Sequence, residues 1–322
     1  MKSIKEEQST NVKIYREFFI KAEAEIRKKL FALKSASYCK NCRKCCKIRY
    51  SEFSPEELKK SKDKNFCETF LPLGALSEND AVDLKTNQLE AFYVDMDYAQ
   101  RAIDSTDKDC WFYYCKYYRN GGCKKAKEKP CYCNEYPQSV CAILHSDCGF
   151  EGWQKTALAK LENEIAKDIL LKIQDIDSYK QNFTCACCAT CCKLACSEFP
   201  YDELKQKAAA GDKFAKQFVS IFVPYENETE AYKVYGEYID FLHETLGSDE
   251  KVYFYYCPKN KNNLCSDYEN RPEICREFPT NPLMILPKSC GYKKWQEETH
   301  TATLLLHALV EIVDFYIKKL KN

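Results

Sequence analysis

Thiolate is the chemistry this sequence offers in quantity. The chain holds 22 cysteines and 4 histidines, so a bound metal would meet sulfur far more than imidazole. Cys39-x2-Cys42-x2-Cys45-Cys46 recurs as Cys185-x2-Cys188-x2-Cys191-Cys192. Phe-Tyr-Tyr-Cys then occurs twice, ending at Cys115 and at Cys257. From there Cys115, Cys123, Cys133 and Cys148 are separated by 8, 10 and 15 positions, and Cys257, Cys265, Cys275 and Cys290 by the same intervals. The flanks agree as well. Glu135-Tyr136-Pro137 matches Glu277-Phe278-Pro279, Gly149-Phe150 matches Gly291-Tyr292, and Trp153-Gln154 matches Trp295-Gln296. The chain reads as two copies of one cysteine module, which is the first thing a repeat search must settle.

These spacings suit metal. A C-x2-C step turns two thiolates toward one point at a tight bend, and a further x2-C adds a third ligand on the same loop. Iron–sulfur proteins use such a tri-cysteine run with a fourth cysteine from elsewhere. Structural zinc more often uses two separated C-x2-C pairs. Either metal would contribute directly to folding free energy, because the distal cysteines must be gathered from long loops. Eight thiolates per module exceed the four of one tetrahedral site. Neighbouring side chains such as those of Cys45 and Cys46 tend to diverge, so one can serve a first site and the other a second. A single site with some structural cysteines is the competing arrangement.

The repeat also sorts the remaining cysteines. Cys67, Cys110, Cys131, Cys141, Cys187 and Cys196 have no partner in the other copy, and small buried apolar residues are the ordinary reading for them. Cys187 and Cys196 lie nearest a cluster. His145 faces Pro287 in the alignment of the copies, and His243, His300 and His307 have no repeat partner, so none is expected to ligate.

Helices should carry the modules. Tyr15, Phe19, Ala22, Ile26, Leu30 and Leu33 form one apolar stripe, and Leu158, Leu161, Ile165, Ile169, Ile173 and Ile176 form another. A third has Leu305, Leu309, Ile312, Tyr316 and Leu320 on one face. Ser54-Pro55-Glu56-Glu57 is a capping-box start. Lys251 to Cys257 alternates like a short strand that delivers Cys257. Residues 62–109 give no clear pattern. The expected fold is mainly α, with irregular metal-organised loops and a few short strands. The expected segments are an N-terminal helix over 1–36, a first module over 37–152, a connecting helix over 153–182, and a second module with the C-terminal helix over 183–322.

Composition bounds the partners and the compartment. Hydrophobic residues make up 45% of the 322, enough for a core without disulfides. The first eight residues show no apolar export signal, and no unbroken run of about 18 apolar residues offers a membrane span. A reduced, cytoplasmic protein without a membrane partner is therefore expected. Net charge is +1, yet residues 1–64 carry 18 Lys/Arg against 9 Asp/Glu. Lys40, Arg43, Lys44, Lys47 and Arg49 surround the first cluster. They compensate thiolate charge or form a solvated face; an anionic partner such as nucleic acid is the sharper alternative.

The motif set resembles the YkgJ-type cysteine-cluster family, described as a zinc- or iron-chelating domain. Cys185-x2-Cys188-x2-Cys191-Cys192 and the stretch from Cys265 through Arg271-Pro272, Cys275 and Arg276 to Pro279 carry the resemblance. It implies that the eight matched cysteines of each half bind zinc or an iron–sulfur cluster, possible as the 4Fe-4S type. Arg271 and Arg276 are candidates for tuning the second centre; the first copy has Lys129 and Asn134 in their places. A relative of that family methylates lysines of flagellin, which raises a lysine N-methylase-like or redox enzyme acting on a protein substrate as an alternative. The sequence itself leaves catalysis open. It has 9 glycines and no G-x-G-x-x-G, P-loop, G-x-S-x-G or H-E-x-x-H. Radical enzymes usually carry C-x3-C-x2-C, and the first spacing here is one residue shorter.

Overall fold

The computed structural model describes residues 4–35, 38–60, 64–76, 96–106, 110–120, 122–246 and 251–321. The chain is mainly α-helical with short antiparallel strands. It divides into two compact units, residues 24–166 with 313–322 and residues 1–23 with 167–312. The first cysteine module lies in the former and the second in the latter.

In the first unit, β1 (Arg49–Ser51), β2 (Phe70–Leu76) and β3 (Cys110–Cys115) form an antiparallel sheet in the order β1-β3-β2. Arg49 faces Tyr113 in the register, and Phe70 faces Cys115. The β2 register shifts between Pro72 and Gly74, where a proline without an N–H interrupts the ladder. The hairpin of β4 (Tyr118–Arg119) and β5 (Gly122–Cys123) delivers Cys123. Leu58, Phe66, Phe70, Tyr113 and Cys115 form one core cluster. Ile48, Leu73, Tyr98, Ala99, Ala102, Cys110 and Phe112 form another.

The second unit uses the same order. Its β6 (Ala195–Ser197), β7 (Val223–Pro224) and β8 (Tyr253–Tyr256) pair as β6-β8-β7, and β9 (Asn260–Lys261) with β10 (Leu264–Cys265) delivers Cys265. The core here gathers Leu204, Ala215, Phe218, Ile221, Phe222, Tyr255 and Cys257.

Matched residues make matched contacts. Tyr113 and Tyr255 each donate a 2.7 Å hydroxyl bond, to the carbonyls of Phe53 and Phe199. Trp153 Nε1 donates to Leu30 O at 2.8 Å, and Trp295 Nε1 to Ile176 O at 3.1 Å. Lys34 Nζ donates to Glu135 O, and Lys180 Nζ to Glu277 O. Gln154 holds the carbonyls of Val140 and Ala142, and Gln296 holds that of Met284. Indole, amide and lysine thus tie the helices beside each module to the loops that carry its distal cysteines.

Ser54 and Glu57 form the capping box, with Ser54 N donating to Glu57 Oε2 at 2.7 Å and Glu57 N to Ser54 Oγ at 3.2 Å. The strand leading to Cys257 runs over Tyr253–Tyr256. The unassigned stretch holds a helix over Lys64–Thr69, strand β2, and a helix over Met96–Asp104; residues 77–95 lie outside the described ones. On the last helix, Lys293–Lys321, the buried face is Leu304, Ala308 and Ile312, with Leu305 36% exposed. The expected stripe was therefore one residue off at its start, because Trp295, Thr299 and Thr303 set the buried row. Among the described residues this helix also passes a length and composition test for crossing a membrane, with an 18-residue window of mean hydropathy 1.3. A core helix passes the same test.

Candidate metal centres

Backbone geometry shapes the proximal loops first. Asn41 and Arg43 flank Cys42 with φ of 51° and 61°, and Cys187 and Ala189 flank Cys188 with φ of 53° and 64°. No glycine is used at these left-handed positions, so each costs on the order of 1–3 kcal/mol. The alternation curls the loop and ends it in a single helical turn, Lys44–Lys47 or Thr190–Lys193, on which the adjacent cysteines sit. In the second module Cys257 N then donates to Cys192 O at 2.7 Å, pinning the distal arm to the proximal run.

The sulfurs of each module fall into two sets. In the second module Cys290 contacts Cys188 and lies in the field of Cys185, while Cys191 lies in the fields of Cys185 and Cys188. Cys275 lies in the fields of Cys192, Cys257 and Cys265. One set is thus Cys185, Cys188, Cys191 and Cys290; the other is Cys192, Cys257, Cys265 and Cys275. The first module groups its sulfurs in a similar way. Cys148 feels Cys42, Cys45 and Cys39. Cys46 bonds to Cys115, and Cys133 feels Cys115, Cys45 and Cys123, so Cys45 lies near both groups. The adjacent pair is shared between the sets in both modules, and each pair is itself hydrogen bonded.

Those bonds set the protonation. The Cys46 thiol donates to Cys45 and Cys115 and is pushed up strongly as a donor. Cys45 and Cys115 are both lowered to about 6 by accepting from it, with the nearby Arg49 charge helping. Cys191 donates likewise to Cys192, which falls to about 7 with Arg271 assisting. Burial and neighbouring thiolates push Cys133 and Cys275 up to about 11. A thiol that donates is raised and one that accepts is lowered, so acidic and basic thiols side by side follow from their close packing. Among the described residues, no three His, Cys, Asp or Glu side chains close on a point as one ion would require. All 21 described cysteine side chains are free of disulfides.

Each module supplies its own cation, from a different side. Arg271 stacks 3.6 Å over Tyr268, donates from Nε to Tyr268 O, helps to lower Cys192, and partly opposes the rise that burial imposes on Cys185 and Cys275. Arg276, one residue past Cys275, is exposed. In the first module the cation is Arg49, where the second has Ala195. It is 5% exposed and sits 3.9 Å from the Tyr136 ring, 4.9 Å from Tyr132 and 4.7 Å from Phe70. Its Nε and Nη1 are buried without a hydrogen-bond partner. A buried, incompletely bonded guanidinium is costly unless negative charge faces it. Negative charge does face it, from the Cys45 and Cys115 sulfurs that its charge helps to hold low. Arg49→Met is therefore expected to raise the titration of both thiols in the reduced, metal-free chain. Thiolate ultraviolet absorbance against pH checks this; an unchanged titration would contradict it.

The other sequence candidates have ordinary partners. Cys110 Sγ bonds to Ala102 O at 3.2 Å and is fully buried. Cys196 Sγ pairs with Tyr238 Oη at 3.5 Å. Cys187 contributes its backbone N–H to Cys185 Sγ at 3.4 Å. Burial pushes the Cys141 thiol up to about 11. Cys67 is half-buried against the first core, and the side chain of Cys131 lies outside the described ones. His145 is buried, stacked 3.8 Å from Tyr98, with Nε2 3.0 Å from Ile48 O. His243 pairs with Glu228. Part of the basic surround is likewise engaged internally. Lys44 donates to Ser146, and Lys116 and Lys125 lie over the Tyr117 ring. Sequence reasoning missed Lys34 and Lys180, although both stand five residues before the first cysteine of their module.

No family model, no curated protein and no solved structure matches this chain.

Proposed function

We propose that the protein is a thiolate metal protein, with two four-sulfur centres in each module and iron–sulfur clusters as their occupants. The sorting of eight sulfurs into two sets that divide an adjacent cysteine pair carries this reading. The donors fit the group. Each set is all sulfur. In the set of Cys39, Cys42, Cys45 and Cys148 three thiolates from one curled loop join a fourth from a distant one, which is the iron–sulfur pattern, while Cys46 joins three cysteines of the distal arm. The strained left-handed residues around Cys42 and Cys188 point the same way, because a loop keeps such strain when something else holds it. Cys39, Cys42, Cys45 and Cys148 would hold one cluster and Cys46, Cys115, Cys123 and Cys133 the next, with the corresponding sets in the second module. When bound, such clusters supply one-electron chemistry. The chain's own residues position the thiolates, and Arg49 and Arg271 offset their charge. Duplication of one module, the likeness to the YkgJ family and a reducing, cytoplasmic setting belong to this proposal.

Anaerobic purification with iron, zinc and acid-labile sulfide analysis tests it. Iron and sulfide in equal amounts are expected, with a broad visible absorption that bleaches on reduction. Zinc without sulfide would replace the cluster with structural zinc. Absence of all three after anaerobic reconstitution would overturn the reading.

A further inference from the structure

The two modules share their cysteine spacing, yet their rims differ in charge. Residues 39–49 hold five Lys/Arg and no Asp/Glu, and residues 116–129 hold six Lys/Arg and one Glu. Of the matched stretches, 185–195 holds one Lys, and 258–271 holds three Lys/Arg against two Asp/Glu. Lys40, Arg43 and Lys44 stand where the second copy has Ala186, Ala189 and Thr190. Lys124, Lys125 and Lys127 stand where it has Ser266, Asp267 and Glu269. Both copies carry eight matched cysteines, so neither thiolate charge nor the shared fold accounts for the extra cations of the first. Like charges gathered in one place repel, a cost that a bound polyanion would offset.

The second copy neutralises part of what charge it has. Lys259 and Asp267 form a 2.6 Å ion pair, and Lys193 Nζ donates to Asn263 Oδ1 at 2.6 Å. The positions matched to that ion pair are Tyr117 and Lys125, where the ammonium lies over the ring, 4.9 Å from its centroid, with no carboxylate against it. Lys40 and Arg43 on the proximal loop are exposed, as are Arg119, Lys124, Lys125, Lys127 and Lys129 on the distal arm. None of the seven forms an ion pair among the described residues. The two stretches converge at their cysteines, since Cys46, next to Lys47, bonds to Cys115, next to Lys116.

The rest of this surface selects among polyanions. Among the described residues, no exposed large hydrophobic side chain falls in either stretch. A protein interface draws its affinity from buried aromatic and aliphatic anchors, and a membrane-surface segment adds an apolar face to its cations. Phosphate contacts need neither, because Lys, Arg and Asn side chains reach phosphate and sugar oxygens directly. Asn41 and Asn120 stand exposed beside the cations. We propose that this face of the first module binds the sugar–phosphate backbone of nucleic acid without reading its sequence. The proposal goes beyond the metal reading and does not need it, since the charge difference between the copies stands whatever the sulfurs hold.

The probe is a fluorescein-labelled single-stranded DNA of about 20 nucleotides and mixed sequence, followed by anisotropy as the full chain is added under reducing conditions. Saturable binding is expected, and a second, unrelated sequence should bind alike. With about five phosphates contacted, affinity should fall roughly 100-fold between about 50 and 200 mM salt. Lys124→Ser with Lys125→Asp and Lys127→Glu gives the distal arm the second copy's residues and is expected to weaken binding at least about tenfold. Lys40→Ala with Arg43→Ala does the same for the proximal loop, at least about fivefold, and serves alone if the first variant fails to fold by circular dichroism. Lys213→Asp with Lys216→Ser and Lys233→Glu makes an equal change of net charge in the other unit and should bind like the parent. Unsaturable binding, indifference to salt or to both first-module variants, or equal weakening by the charge-matched control would overturn the face. Phosphatidylglycerol vesicles or polyglutamate bound as tightly as the oligonucleotide would overturn the assignment to nucleic acid.

Discussion

Serine at Cys192 is expected to empty the centre it shares with Cys257, Cys265 and Cys275, and to leave that of Cys185, Cys188, Cys191 and Cys290 loaded. Serine at Cys191 should do the reverse. The two residues are neighbours in the chain, so any model in which the pair serves one site predicts the same loss from either. The proposed arrangement divides the pair, since Cys191 lies in the fields of Cys185 and Cys188 while Cys192 acts on Cys257 and Cys275. Four sets share the sixteen matched cysteines, so each variant should lose about one quarter of the metal. Ligation at a structural zinc contributes on the order of 10 kcal/mol to folding, so the variant's cooperative unfolding should also shift markedly. Cys67→Ser, outside both sets, should keep full metal content. Metal and sulfide counts per chain, combined with the spectrum of the remaining centres, decide the matter. Identical losses from Cys191→Ser and Cys192→Ser would refute the division.

Alanine at Gly291 or Gly149 is expected to destabilise its unit by about 3 kcal/mol or more. A Cβ at Gly291 would stand 1.9 Å from Thr184 O and 2.8 Å from Ala186 N; one at Gly149 would stand 1.7 Å from Tyr38 O. These obstacles are backbone, so no rotamer change relieves them. The contact joins the residue after the last cysteine of each module to the segment around its first, Cys290 to Cys185 and Cys148 to Cys39. A methyl group there must spread the set it helps to close. Gly122→Ala offers the contrast, since its nearest neighbour would be 3.8 Å away, and it should change stability by less than about 0.5 kcal/mol. Urea unfolding of all three variants gives the comparison. A Gly291→Ala midpoint equal to that of Gly122→Ala would refute the packing argument.

What the sequence made legible is whatever repeats or alternates. Shared ligation by the matched cysteines implied that distal sulfurs come to the proximal run without saying which; Cys46 bonds to Cys115, and Cys257 N donates to Cys192 O. The capping box and the strand into Cys257 were readable from local chemistry. Arg49 was counted as one of several cluster-side cations. Its burial follows from the register of β1, where it faces Tyr113, and its counterpart in the second copy is Ala195, so the repeat gives no signal for it. A cavity of about 540 Å³ in the second module was illegible for a related reason. Its walls come from the helices over Lys213–Ile221 and Glu228–Thr245 and from the loop around Leu283. The helices show only the ordinary amphipathic pattern, the loop shows none, and the space between them exists only in three dimensions. The apolar stripe of the last helix starts at Leu304 and not at Leu305, because Thr299 and Thr303, polar by type, occupy buried positions and bond to carbonyls four residues back.

Trp153 and Trp295 are both fully buried, one in each unit, and both have the indole N–H engaged by a main-chain carbonyl. An indole in such a place emits at short wavelength and shifts to the red when the ring meets water. With Trp111 replaced by phenylalanine, each half of the chain carries a single optical reporter of its own opening. Removing either reporter in turn shows whether the halves melt together or in sequence.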